Sequence, residues 1–298
     1  AMSVLVFGSI NVDLVMRPAH LPVGGETVLS QSYDALPGGK GANQALAARR
    51  AGADVIFVGA VGDDAFSAIA LANLAQDQVD TDSVARTEIP TGCAAVLVDD
   101  VGENAICVAS GANGHLRASQ VSDAHLRSAK ILVLQQEVPL EENISLAQRA
   151  HDAGIPVLCN LAPARKVPVG FFADVDYLVV NEGEAAFLCG DSSPGPAPEE
   201  KAQWLADHHD LTVVLTLGAN GVVFVKAKSS VQQLASPTVK VVDTTGAGDT
   251  FTGYLAAGLA KDLTLETSSA VAMAAAATAC TRIGAQAAIP YVDDLESQ

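Results

Sequence analysis

The segment Asp243-Thr-Thr-Gly-Ala-Gly-Asp249 carries the sharpest chemical signal in the chain. Gly246, Ala247 and Gly248 precede Asp249, and Phe251, Leu255 and Leu259 follow at i, i+4 and i+8. That spacing predicts a helix with one apolar stripe, starting near Gly248. The first turn of a helix leaves N–H groups unpaired at the positive end of its dipole, which suits an anion. A capping role alone would account for Asp249, but a cap needs no run of three small residues before it. Gly253 and Gly258 each weaken such a helix by about 1 kcal/mol, so they predict close packing against a neighbour. The turn is not a dinucleotide fingerprint, because Phe251 stands where its third glycine would fall.

Three further groups fit a site for a polar ligand. Gly38-Gly-Lys-Gly-Ala-Asn43 opens an apolar helix; Gly39 permits positive φ and close approach of a ligand, and Lys40 and Asn43 project from the first turn. It is not a P-loop, since Asp34 occupies the position of the required glycine. A helix start with a solvated lysine is the plainer account. Asn11 and Asp13 lie two apart on an extended segment, so they face the same way and could bridge vicinal hydroxyls; an ordinary turn after a strand is the alternative. Thr216-Leu-Gly-Ala-Asn-Gly221 is a glycine-bounded turn that a hairpin would also explain. The six histidines lack ligand spacing, and no Ser/His/Asp ordering stands out.

The elements that must position these residues follow from periodicity. Short β-branched runs at 4–8, 55–59, 131–135, 156–160, 177–180, 211–215 and 222–226 alternate with Ala-rich helical stretches at 41–51, 64–76, 140–153, 199–208, 248–260 and 267–281. Near-continuous apolar strands between helices predict a doubly wound α/β fold with a mainly parallel sheet. Residues 14–37 and 91–108 break the rhythm with period-two alternation. They are expected to form a small sheet standing off the main body as a lid, the second as a hairpin around 99–104; an ordinary edge of the same domain is the alternative. Residues 190–198 read as a surface loop before a helix, not a linker, so residues 1–298 are expected to form one domain. In such sheets ligands bind beyond the carboxyl ends of the strands. Asn11 and Asp13, Glu137, Asn160, Asn181 with Glu184, and Thr216 with Gly218 all follow predicted strands, which places a functional rim there.

Composition narrows the partners. The 298 residues are 49% hydrophobic and 17% charged, which excludes a disordered chain. Seventeen Lys and Arg against 34 Asp and Glu give a net charge of −17, a poor match for nucleic acid or anionic lipid. An anionic substrate would need a locally positive site or a counter-cation. No apolar run reaches about 18 residues; the Ala-rich stretch 270–279 stops near Arg282, so no membrane span is expected. The five cysteines, 93, 107, 159, 189 and 280, form no CxxC, which favours a reduced compartment. With no basic leader or cleavage site before the first strand, the cytoplasm is expected, the Asn143-Ile-Ser145 sequon reads as chance, and Ala1 before Met2 reads as a remnant of expression.

Taken together, the motifs resemble the PfkB (ribokinase-like) family of sugar and nucleoside kinases. The match runs nearly end to end: Gly8-Ser-Ile-Asn-Val-Asp13, Gly25-Glu-Thr-Val28, Gly38-Gly-Lys-Gly-Ala-Asn-Gln44, Gly111-Ala-Asn113, Asn160-Leu-Ala-Pro-Ala-Arg165, Asn181-Glu-Gly-Glu184, Thr216-Leu-Gly218, Val242 through Phe251, and Thr281-Arg-Ile-Gly-Ala-Gln286. The resemblance implies transfer of the γ-phosphoryl of ATP to a sugar hydroxymethyl by a homodimer joined through the lid. It implies Asp249 as general base and the Gly246, Ala247 and Gly248 N–H groups as anion hole. Asn11, Asp13, Gly39, Lys40, Asn43 and Glu137 would hold the sugar. Asn181, Thr216, Gly218 and Gly221, with Gly248, would hold the nucleotide, and Glu184 is tied to Mg²⁺ and phosphate. A K⁺ site would use Asp243 and the carbonyls of Thr245, Ala279, Arg282 and Gly284. Ala288 stands where the family often has a serine beside this cation, and Met273 where a His or Asn often lies near the adenine.

Within the family, the Asn-x-Asp, Gly-Gly-Lys-Gly-Ala-Asn and Asn-x-Ala-Pro-Ala-Arg set points to the 5-hydroxymethyl of D-ribose. Deoxyribose, fructose and pseudouridine are alternative substrates. A silent sugar-binding regulator on the same fold is opposed by the intact Gly246–Asp249 turn, and a nicotinamide dehydrogenase by the missing GxGxxG after the first strand.

Overall fold

The computed structural model describes residues 3–192 and 195–295. Ala1, Met2 and two positions of the 190–198 loop lie outside the described residues. Fourteen strands are described. They are β1 (Ser3–Phe7), β2 (Asn11–Met16), β3 (Tyr33–Gly38), β4 (Asp54–Val58), β5 (Ala60–Gly62), β6 (Ala85–Thr87), β7 (Gly92–Val98), β8 (Asn104–Ala109), β9 (Ala129–Leu134), β10 (Val157–Asn160), β11 (Tyr177–Asn181), β12 (Thr212–Thr216), β13 (Val222–Lys226) and β14 (Gln232–Leu234). The helices are α1 (Lys40–Arg50), α2 (Ala65–Gln76), α3 (Asp123–Ser128), α4 (Leu140–Asp152), α5 (Glu182–Cys189), α6 (Pro198–His209), α7 (Ala247–Ala260), α8 (Leu265–Ala279) and α9 (Val292–Leu295).

Eight strands build the main sheet in the order β14-β13-β12-β11-β10-β9-β1-β4. The six from β12 to β4 run parallel, and β13 and β14 turn back antiparallel at one edge. Alternate residues of each strand feed two separate cores. Val4 and Val6 belong to the layer beneath α1, α7 and α8, while Leu5 and Phe7 belong to the opposite layer with α4 and α6. Burial on both faces is why these strands are apolar without a break. All seven expected strands of this sheet and all six expected helices form, with ends displaced by at most two residues. The short strands β5 and β6 pair with each other, and with α3, α5 and α9 they were not foreseen. Pro198 sits in the first turn of α6, where its missing N–H costs nothing.

A second sheet, β3-β2-β7-β8, stands apart from the first. The β7–β8 hairpin pairs Ala95 with Cys107 and Leu97 with Ala105, and the Asp99 side chain closes its turn by accepting from the N–H groups of Val101 and Glu103. β2 enters this sheet at Asn11, three residues before the segment the alternation marked, because Gly38 and Gly92 already flank Asn11. Among the described residues no helix is long and apolar enough to cross a membrane, and all five cysteines are free.

Candidate active site

Because β1, β9, β10, β11 and β12 are parallel, their carboxyl ends share one edge. Two neighbouring clefts open there. One, of about 210 Å³, is lined by Lys40, Asn160, Asn181, Glu184, Thr216 and the turn from Gly246 to Asp249. The other, of about 410 Å³, is lined by Asn11, Asn113, Glu137, Pro163 and Arg165, together with Val108 of β8.

The first cleft is built on the start of α7. Gly246 adopts φ 75°, a left-handed turn that reverses the chain into the helix, and an added Cβ would press on Ala285 at 3.2 Å. The Ala247 N–H is spent on the Thr244 carbonyl at 3.2 Å and the Thr250 N–H on Gly246 at 2.9 Å. The N–H groups of Gly246, Gly248 and Asp249 have no acceptor among the described residues, so of the three expected donors only Ala247 is spent, and Asp249 adds its own N–H to the turn. Asp249 is buried, and both its oxygens are held: Asn43 Nδ2 donates to Oδ2 and Gln44 Nε2 to Oδ1, each at 2.9 Å. Asn43, expected to hold sugar hydroxyls, thus has its amide turned to the carboxylate, and Gln44 enters the site unforeseen.

Gly39 caps α1 with φ 91°, lying so close to the chain entering β2 that a Cβ would stand 2.8 Å from the Ile10 Cα and 2.9 Å from the Asn11 N. This brings the Lys40 N–H within 3.1 Å of Glu137 Oε2, which also accepts from Ser9 Oγ. The half-buried Lys40 ammonium is held above its usual range, chiefly by Asp249, with Glu137 and Glu184 adding to the effect against burial. Burial, with Glu137 and Asp249 nearby, pushes Asp13 up to about 6. Arg165 fixes the turn that carries Glu137, donating to Gln136 Oε1 at 2.8 Å and the Val138 carbonyl at 2.9 Å.

Asn11 is set by Asn113, whose Nδ2 donates to Asn11 Oδ1 at 2.7 Å while its Oδ1 and Nδ2 bracket the Ile10 backbone at 2.9 and 3.1 Å. A Cβ on Gly38 would collide with the Asp13 carboxylate, and one on Gly92 with Asn11 and Asn113. The two glycines therefore keep open the pair that the spacing of Asn11 and Asp13 predicted.

On the other flank, Asn181 and Glu184 form a reciprocal cap on α5: Asn181 Oδ1 accepts the Glu184 N–H and Glu184 Oε2 the Asn181 N–H, both at 2.8 Å. Burial raises the Glu184 carboxyl, opposed by the bond from Asn181 and by Lys40. Thr216 lines the cleft; Gly218 and Gly221 serve the β12–β13 turn at φ 56° and 98° and do not line it. Next to the α7 turn, Asp243 accepts from the N–H groups of Thr245 at 2.9 Å and Gly284 at 3.0 Å. Burial favours the neutral form of Asp243, but these bonds outweigh it and hold the carboxyl below its usual range. The Asp243 N–H bonds to the Cys280 carbonyl, and Ala279 accepts from Arg282 N–H, so the loops around 243–245 and 279–284 lie side by side. Ala288 and Met273 are buried.

The architecture is that of solved ribokinases. The chain superposes on the Thermotoga maritima ribokinase with a TM-score of 0.92 at 33% identity, covering 99% of this chain and 98% of that one. It superposes on the Arabidopsis thaliana ribokinase complexed with ribose and ATP with a TM-score of 0.91 at 31% identity, covering 99% and 97%. In sequence it is 36% identical to a Lactococcus lactis ribokinase over 99% of this chain and 96% of the relative. Residues 1–291 match the pfkB family carbohydrate kinase model, and the chain belongs to that family.

Proposed function

We propose that the chain is an ATP-dependent ribokinase that phosphorylates the 5-hydroxymethyl of D-ribose. The observation that carries this reading is the position of Asp249: an acidic side chain lining the 210 Å³ cleft in the turn whose N–H groups at 248 and 249 remain unspent. Relatives at about this identity over nearly the whole chain are ribokinases, which supports ribose over other sugars.

In this mechanism Asn11, Asp13, Glu137 and the Gly39–Lys40 turn hold the ribose hydroxyls in the 410 Å³ cleft, with Asn43 beside them. Asp249 accepts the proton of the hydroxymethyl as its oxygen attacks the γ-phosphorus. The α7 amides and Lys40 offset charge on the transferring phosphoryl group, so alignment and electrostatics do the catalytic work. Asn181, Thr216 and the 216–221 turn hold the nucleotide. Among the described residues no group of three or more His, Cys, Asp or Glu could hold a metal ion by itself; Mg²⁺ arriving with the phosphates would be held through Glu184 and would neutralise their charge. Asp243 with the carbonyls of Thr245, Ala279, Arg282 and Gly284 is a set of hard oxygen donors that fits K⁺. The separate sheet acts as a lid, since Val108 of β8 reaches the sugar cleft. Its exposed Tyr33, Leu36 and Ile106 support a homodimer through that sheet, and the free thiols fit a cytoplasmic setting.

The test is an ADP-release assay with ATP and Mg²⁺ across ribose, deoxyribose, fructose and pseudouridine. Ribose is expected to give the highest kcat/KM. A preference for another acceptor replaces the substrate assignment, and ADP release with none of them overturns the kinase reading for these sugars.

A further inference from the structure

An ionised carboxylate only accepts hydrogen bonds, so any amide touching Asp249 must turn its NH₂ inward. Asn43 and Gln44 do so, and their carbonyl oxygens are left facing away. Each of these is taken by another amide: Asn43 Oδ1 accepts from Gln286 Nε2 at 3.0 Å, and Gln44 Oε1 from Gln135 Nε2 at 2.9 Å. The first chain goes one link further, with Asn73 Nδ2 donating to Gln286 Oε1 at 3.1 Å. Two chains of side-chain amides therefore converge on one carboxylate, every link donating toward it. Amides aligned in this sense polarise one another.

The far end of the second chain shows that this direction is maintained against a local penalty. Gln135 Oε1 is buried and has no hydrogen-bond partner among the described residues. Rotating that amide by half a turn would remove its donation to Gln44. The fold leaves the oxygen unsatisfied instead, although a buried polar atom without a partner is unfavourable. Gly8 is fitted to this arrangement, because a Cβ there would run into the same oxygen.

We propose that Gln44 and Gln286 are positioning residues for phosphoryl transfer, locking the plane of the Asp249 carboxylate, Gln44 by direct contact and Gln286 through Asn43. With one oxygen tied to each amide, the carboxylate cannot rotate about its own bond, and its remaining lone pairs stay aimed at the cleft. The inference rests on Asp249 as the base that receives the hydroxyl proton. It concerns how that base is held, which the sugar and nucleotide contacts do not determine.

Three variants read the lock. Gln44→Met keeps the volume and removes the direct donor. Gln286→Leu removes the outer donor. Gln286→Glu is isosteric but only accepts, so Asn43 must turn its NH₂ outward and present its carbonyl to Asp249. A misplacement of this kind is expected to lower kcat about 10- to 100-fold with KM for ATP within about threefold of the parent. Gln286→Glu is expected to lose more than Gln286→Leu, whereas a merely structural role would make the losses follow the melting temperatures. Parental kcat in Gln44→Met and Gln286→Glu, or losses ranked by stability alone, overturns the proposal. Side-chain amide NMR gives a readout that needs no turnover. In the parent protein the Asn43 and Gln44 NH₂ protons should be protected from exchange, and Gln286→Glu should shift the Asn43 pair. Amides exchanging like those of a free side chain overturn the lock. Parental turnover in Asp249→Asn instead removes the base assignment, while the protected amide signals would still report the lock.

Discussion

Gly253 of α7 faces Ala47 of α1 so closely that a Cβ on the glycine would stand 2.5 Å from the Ala47 Cβ. The same Cβ would stand 2.5 Å from the Gln44 carbonyl oxygen. Gly253 lies one helical turn beyond Asp249, on the side turned toward α1. The absent side chain thus sets the distance between the two helices, and that distance lets Asn43 and Gln44 reach both oxygens of Asp249.

Gly253→Ala puts this relationship at risk. The substitution gains about 1 kcal/mol of helix propensity. Overpacking two backbones costs roughly 1–3 kcal/mol, because neither can yield as a flexible side chain would. The variant is expected to have a lower urea midpoint than the parent and a kcat reduced more than its KM. A higher midpoint with unchanged kcat would show that the helices have room to separate.

Asp249→Asn is expected to retain ribose binding within a few-fold by calorimetry, since the asparagine fills the same space. Turnover is expected to fall by roughly 10²–10⁴-fold, the range set by losing a general base. Near-parental turnover would show that another group, or water, takes the proton.

Asp13 gives a pH signature with a definite sign. Its carboxyl is raised from 3.8 to about 6, first by burial and then by Glu137 and Asp249. Between those two values the folded protein keeps a proton that the unfolded chain has released. This contribution to stability is complete below about 4 and is lost as pH rises through about 6. Ligand-free Asp13→Asn is therefore expected to be more stable than the parent near neutral pH, by at most about 3 kcal/mol, with the difference closing below pH 4. In the parent, KM for ribose should rise as pH falls through about 6, because a protonated Asp13 loses an acceptor site. Denaturation midpoints and KM measured across this range check both; a stability difference that does not vary with pH removes the buried-charge account.

The parallel core was legible because burial on both faces forces unbroken apolar runs such as 131–134, and the 243–249 turn because three small residues before an acid have little other use. Gln44 and Gln286 were not legible as parts of the site. A buried amide leaves no period in the sequence, and its role depends on partners from α1, α2 and the 135–137 turn, more than 90 positions apart in the case of Gln44 and Gln135. Asn113 and Arg165 sat inside recognised motifs, but their action on Asn11 and on the Glu137 turn exists only in three dimensions. The early start of β2 was hidden because Asn11 and Asp13 read equally well as a turn after β1.

The final prediction concerns the monovalent cation. Asp243 ties the 243–245 strand of chain to Gly284, and Gly246 rests on Ala285, so the shape of the α7 turn depends on how these two loops sit together. A cation shared by carbonyls from both loops would hold the turn in shape without touching substrate. Ala288 supplies no hydroxyl to it, which leaves Asp243 as the charged donor of the set. Replacing K⁺ by Na⁺ is expected to lower kcat several-fold, because a smaller ion would draw the carbonyls of the two loops closer together than a larger one. Asp243→Ala should bring activity in the two salts to one low level, since it removes the carboxylate and unties Thr245 and Gly284 together. Calorimetric titration with KCl separates the causes: heat of binding in the parent and none in Asp243→Ala places the ion at this pair of loops. Equal turnover in both salts, with no heat on adding K⁺, would mean that Asp243 acts only through its two backbone hydrogen bonds.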